Sequence, residues 1–176
     1  MARLFLLLAL LAALVAAGCG GDDEGDPSAA GGSASQETQT ETSPADARDQ
    51  LEDTSTKPEI PKPTGAPPRR LVTEDIVKGK GKAARAGDNV TVQYVGVSFS
   101  TGEQFDASWD IGQPFSFPLG AGQVIPGWDK GVAGMRKGGR RELIIPPELA
   151  YGAEGAPPDI APNETLVFVV DLVSIR

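Results

Sequence analysis

The chain has 176 residues and a formal charge of −8, with no histidine and one cysteine. An acidic chain lacks the basic face that a phosphate backbone demands, which argues against nucleic acid as partner. Without histidine, the usual zinc sets and the Ser-His-Asp and Cys-His nucleophiles are excluded.

The chain opens with "MARLFLLLALLAALVAAGC": one basic residue, an apolar run, then small residues. This is the shape of a secretory signal over residues 1–18, and the run is shorter than the ~20 residues a spanning helix needs. Cys19 closes the run, and a lone thiol forms no internal disulfide. Ala16-Ala17-Gly18-Cys19 resembles a bacterial lipoprotein lipobox, with Ala16 where leucine is more usual. The resemblance implies cleavage before Cys19 and acylation of its thiol, two or more chains giving stable anchoring. The chain is therefore expected on the outer face of a cytoplasmic membrane or on a cell envelope.

Residues 20–70 carry 11 acids and 5 bases and are mostly Gly, Ser, Thr, Pro, Asp and Glu. Such a stretch buries too little apolar surface to fold, so 19–70 is expected to be a lipidated start followed by a disordered linker. As a coil, residues 20–70 would span about 40 Å r.m.s., with Pro58, Pro61, Pro63, Pro67 and Pro68 stiffening the end.

Nine of the ten aromatic residues follow residue 90, so the core belongs to a single domain over 71–176. "LVTEDIVKG" alternates weakly and reads as an edge strand. The lysines and Arg85 just after it (Lys78, Lys80, Lys82) read as a solvated edge. "NVTVQYVGVSF" puts Val90, Val92 and Tyr94 on one face at period two, and "STGE" marks a turn. "PFSFPL" alternates again through Phe115, Phe117 and Leu119. In "IPGWDKGVAGM", Trp128, Val132 and Met135 recur at helical spacing, up to the "KGG" of 137–139. "RRELIIPP" and "LVFVVDLVSI" read as two further strands. Together these predict an α+β fold, an antiparallel sheet curled over one short helix. With no coiled segment, a monomer is expected.

Reactive chemistry is scarce. No Walker loop and no GxGxxG after a strand are present, and no cofactor is called for. Asp106 and Asp110 are loop-borne carboxylates with no sign of acid–base tuning. Any catalysis must come from shape and desolvation.

Four segments, "VTVQYVG", "GEQFDASWD", "PFSFPLGAGQVIPGWDKGVAGMRKGGRRELIIPPELAYG" and "TLVFVVDLVSI", occur in an order and spacing that resemble the FKBP-type peptidyl-prolyl cis–trans isomerases. The resemblance runs from about Gly87 to Arg176. It implies a sheet of about five strands around a short helix, and an X–Pro isomerase that helps exported proteins to fold. It also implies proline-containing polypeptides as partners and macrolides as inhibitors. A non-catalytic proline-binding module or tethered chaperone is the alternative reading.

The resemblance assigns the pocket position by position. Trp128 would be its floor, and Tyr94, Phe105, Phe115 and Phe168 its aromatic walls. Val124 and Ile125 would form the rim, Tyr151 would offer its hydroxyl, Ile160 would overhang, and Asp106 would be the acid within. This chain departs from the family at Ile111, where many members have arginine, so Asp106 is expected to lack an ion partner and to titrate high if buried. Ala156 and Asp159 are departures in the loop 152–162, so sequence preference does not transfer.

Overall fold

The computed structural model describes residues 50–176; the predicted signal, Cys19 and the first part of the expected linker lie outside them. In chain order the elements are β1 (Val72–Val77), β2 (Lys80–Ala83), β3 (Asn89–Ser98), β4 (Gln104–Ala107), α1 (Ser108–Ile111), β5 (Phe115–Pro118), α2 (Pro126–Gly131), β6 (Arg136–Lys137), β7 (Arg140–Ile145), a 3₁₀ turn (Pro147–Leu149) and β8 (Leu166–Ile175). Six strands form one antiparallel sheet in the order β1-β7-β8-β3-β4, with β5 also paired to β3. β2 and β6 make a separate two-stranded ribbon.

Alternation along the two ten-residue strands sets the two faces of the sheet. On β3, Val90, Val92 and Tyr94 face inward with Leu166, Phe168, Val170 and Leu172 of β8. These pack around Trp128 and Val132 together with Leu143 and Ile145 of β7. Each such buried side chain stabilises by about 1.5–3 kcal/mol. Val95 and Val97 of β3 face the other way, in a second cluster with Phe99, Ala107 and Val167. The sheet is therefore apolar on both faces, and its outer face needs a cover.

That cover is the segment expected to be the end of the linker. Leu51 is buried, Pro58 is buried, and Ile60 packs against the second cluster beside Trp109 and Ile144. The reading of residues 50–70 as linker is thus corrected over at least 50–62. Composition averaged over 20–70 hid two well-placed apolar side chains.

The central helix is shorter than its spacing suggested. α2 ends at Gly131, long before 137–139. A turn follows, in which Met135 N–H bonds the Val132 carbonyl at 3.1 Å, and Gly134 takes φ +84°. Val132 and Met135 are buried all the same. Gly127 lets the helix seat on the sheet, because a Cβ there would lie 2.3 Å from Ile145 Cγ2.

Candidate functional site

A hollow of about 580 Å³ opens on the inner side of the sheet. Trp128 is its floor. Pro126 starts α2 at a position where a missing N–H costs nothing, and Trp128 follows in the first turn, its amide bonded to Ile125 O at 2.9 Å. The indole is 4% exposed, so it is at once core and floor. Tyr94 meets it edge-on, centroids 5.0 Å apart at 84°, and Phe168 does so at 5.3 Å and 87°. Phe115 stands 6.2 Å away at 72°, and Phe105 leans on Phe168 at 5.4 Å and 88°. Edge-to-face pairs each add about 0.5–1.5 kcal/mol beyond burial, so the walls hold one another in place.

Gly96 makes room for these rings. A Cβ on it would come within 2.6 Å of Phe168 Cε1 and 2.8 Å of Phe105 Cζ. The rim is tied down by Asp129 of α2. Its carboxylate accepts the Gly120 N–H at 2.8 Å and the Gly122 N–H at 2.9 Å, holding the loop that leads into Gln123, Val124 and Ile125.

The hollow also has a polar side. Tyr94 OH donates to Asp106 Oδ2 at 2.6 Å. Burial first, then the Asp106 acceptor and its charge, push the Tyr94 phenol well above its ordinary value. Burial and the same carboxylate push Tyr151 up as well. Both phenols are therefore neutral donors at physiological pH. Ser108 fixes the backbone behind Tyr94: its Oγ accepts the Tyr94 N–H at 2.8 Å and donates to Gln93 Oε1.

Nine of the ten residues expected at the site line this one hollow: Tyr94, Phe105, Asp106, Phe115, Val124, Ile125, Trp128, Tyr151 and Phe168. Ile160 does not. It is 5% exposed, packed into the inner core, and borders a neighbouring groove beside Phe105 and the loop 157–162. Its apolar side chain is taken up by core contacts and does not line the hollow. Asp106 is exposed rather than buried, and among the described residues it forms no ion pair. Ile111 points to solvent at 69% exposure. Gly122 and Gln123 also line the hollow and were not anticipated; their place just before Val124 was the available signal.

With this geometry in place, comparison with known proteins is decisive. The family described as FKBP-type peptidyl-prolyl cis-trans isomerase matches residues 80–173. The chain belongs to the FKBP-type isomerases. An FK506-binding protein from Streptomyces anulatus is 62% identical over 120 residues, covering 68% of this chain and 97% of that protein. A probable FK506-binding protein from Corynebacterium glutamicum is 52% identical over 118 residues, 67% of this chain and 98% of the other. An FK506-binding protein from Neisseria meningitidis serogroup B is 48% identical over 105 residues, 60% and 95% of the two chains. The protein is thus a peptidyl-prolyl cis–trans isomerase.

Proposed function

We propose that this isomerase speeds X–Pro rotation in polypeptides exported across the membrane, working from a lipid anchor at Cys19 on the cell envelope. The observation that carries the catalytic part is the Trp128 floor met edge-on by Tyr94, Phe115 and Phe168, with Phe105 edge-on to Phe168. The anchoring part rests on the apolar leader and on Ala16-Ala17-Gly18-Cys19.

An X–Pro bond prefers trans by only ~0.5–1 kcal/mol, yet isomerises in tens to hundreds of seconds. The barrier, ~18–20 kcal/mol, is largely lost amide resonance. Reaching milliseconds needs about 10⁴–10⁵-fold, or roughly 5–7 kcal/mol. The prolyl ring sits on the indole while the preceding carbonyl turns. Dry aromatic walls disfavour the charge-separated planar amide relative to the twisted one. The neutral Tyr94 and Tyr151 hydroxyls sit on the polar side, beside the turning amide. Contacts that strengthen only as the amide twists raise kcat. No proton changes hands.

The anchored role is tested by labelling cells with a radioactive fatty acid and following the envelope fraction. Label on the wild-type chain, absent from Cys19→Ser, with slower refolding of a proline-limited exported protein in the variant strain, supports it. An unlabelled, soluble wild-type chain rejects the anchor and leaves the catalytic part standing.

A further inference from the structure

We propose that residues 50–62 are a strap that positions the pocket wall formed by β4 and α1, with Lys57 and Ile60 as positioning residues for the isomerase reaction. This rests on the isomerase reading. The strap lies outside the stretch matched by the family, residues 80–173.

The docked strap is demanded by a buried charge. Arg140 is 0% exposed, on the outer face of the sheet. Of its five N–H donors, two go to Asp171: Nε to Oδ1 at 2.5 Å and Nη2 to Oδ2 at 2.7 Å. The other three go to strap carbonyls. Nη1 donates to Leu51 O at 2.9 Å and Asp53 O at 3.0 Å, and Nη2 donates to Thr56 O at 2.9 Å. A buried guanidinium left with orphan donors is strongly unfavourable. Without the strap, Arg140 and the apolar outer face would both lose their cover.

From this seat the strap reaches the site by two routes. Lys57 Nζ pairs with Asp110 Oδ1 at 2.6 Å, while Asp110 Oδ2 accepts Gln104 Nε2 at 2.8 Å. Gln104 and Asp110 bracket Phe105 and Asp106 in sequence. Ile60 packs in one cluster with Trp109 and Ala107, directly behind the same wall. Ile111 brings no charge to this rim, and the cation paired with α1 is the strap's own. Farther on, Lys62 lies over the β3–β4 turn, where a Cβ on Gly102 would be 2.9 Å from Lys62 Cβ.

A wall ordered in advance spares the substrate the cost of ordering it. That benefit is common to bound substrate and transition state, so its loss appears in KM rather than kcat. A strap that merely adds stability would move neither.

The test uses the full chain, with KM and kcat read on an X–Pro peptide and strap release read as proteolytic cleavage within 50–62. Leu51→Asp with Ile60→Asp should release the strap and raise KM about two- to tenfold, the weight of one or two side chains reordered on binding. kcat should stay within about twofold. Lys57→Asp should raise KM by less, about two- to fourfold for an exposed pair, and Lys57→Asp with Asp110→Lys should restore it. A released strap with wild-type KM overturns the proposal, as does a fall in kcat at unchanged KM. If the double variant does not fold, the Lys57 pair decides: no rise in KM, or no recovery on swapping, rejects the strap's role. Failure of the isomerase reading looks different, because the wild-type chain itself would then give no acceleration. The same variants then decide the strap through FK506 affinity, weakened in the same order or unchanged.

Discussion

The Tyr94 hydroxyl donates to Asp106 Oδ2 at 2.6 Å, joining β3 to β4 across the polar side of the pocket. Both Tyr94 and Tyr151 hold their protons beyond the ordinary phenol value of 10.0. The unfolded chain ionises near that value while the folded one does not, so stability should fall as pH rises above 10. Activity should show no ionisation between about pH 6 and pH 10, since no histidine is present to titrate there. The checks are a pH profile of kcat/KM and an alkaline absorbance titration. A step in the profile near pH 6–7 would contradict this assignment.

Gly96 is expected to tolerate no side chain. In Gly96→Ala, the new methyl must displace Phe168 and Phe105 from contacts of 2.6 and 2.8 Å. Overpacking of this kind costs about 1–3 kcal/mol. Melting should therefore shift down, and kcat/KM should fall with it. A variant of wild-type stability and activity would show that the rings have slack.

Asp129→Ala should loosen the rim without touching the floor. Two exposed amide donors, on Gly120 and Gly122, exchange their carboxylate acceptor for water, at about 0.5–1.5 kcal/mol each. Hydrogen exchange at these two amides should quicken, and KM should rise through the displaced Val124 and Ile125. Unchanged exchange would place the control of the loop elsewhere.

Much of this was legible in the chain. Val90, Val92 and Tyr94 announce a half-buried strand because side chains on a strand alternate. Trp128, after Pro126-Gly127 at a helix start, suits a core plug as well as a pocket floor, and the family resemblance makes it the floor. The β2–β6 ribbon was not legible, since "KGKA" and "RK" carry no apolar alternation. Nor was the strap. Arg140 reads its backbone carbonyls, and a carbonyl leaves no signature in sequence. Ile160 shows the opposite limit: its residue type suits a pocket and a core equally, and only packing decides.

Acid should weaken the strap's ion pair with α1. Hydrogen bonds from Lys57 and Gln104 hold the Asp110 carboxyl below its ordinary 3.8. Lys82 and the Arg85 N–H do the same for Asp88. Groups with depressed folded values contribute stability that is complete above the unfolded value and lost as pH falls through the folded one. The chain should therefore lose stability on acidification below about pH 4, while Asp110→Asn should flatten that fall. An acid limb unchanged in Asp110→Asn would mean that the Lys57 pair contributes nothing.

The central claim is that rotation is eased by shape and dryness alone, and the solvent isotope effect on kcat/KM for an X–Pro peptide tests it most directly. A ratio near unity in heavy water, together with loss of most of the acceleration in Phe168→Ala, is the predicted result. A ratio of about two or more, the mark of a proton moving in the rate-limiting step, would contradict it, as would an undiminished rate in Phe168→Ala.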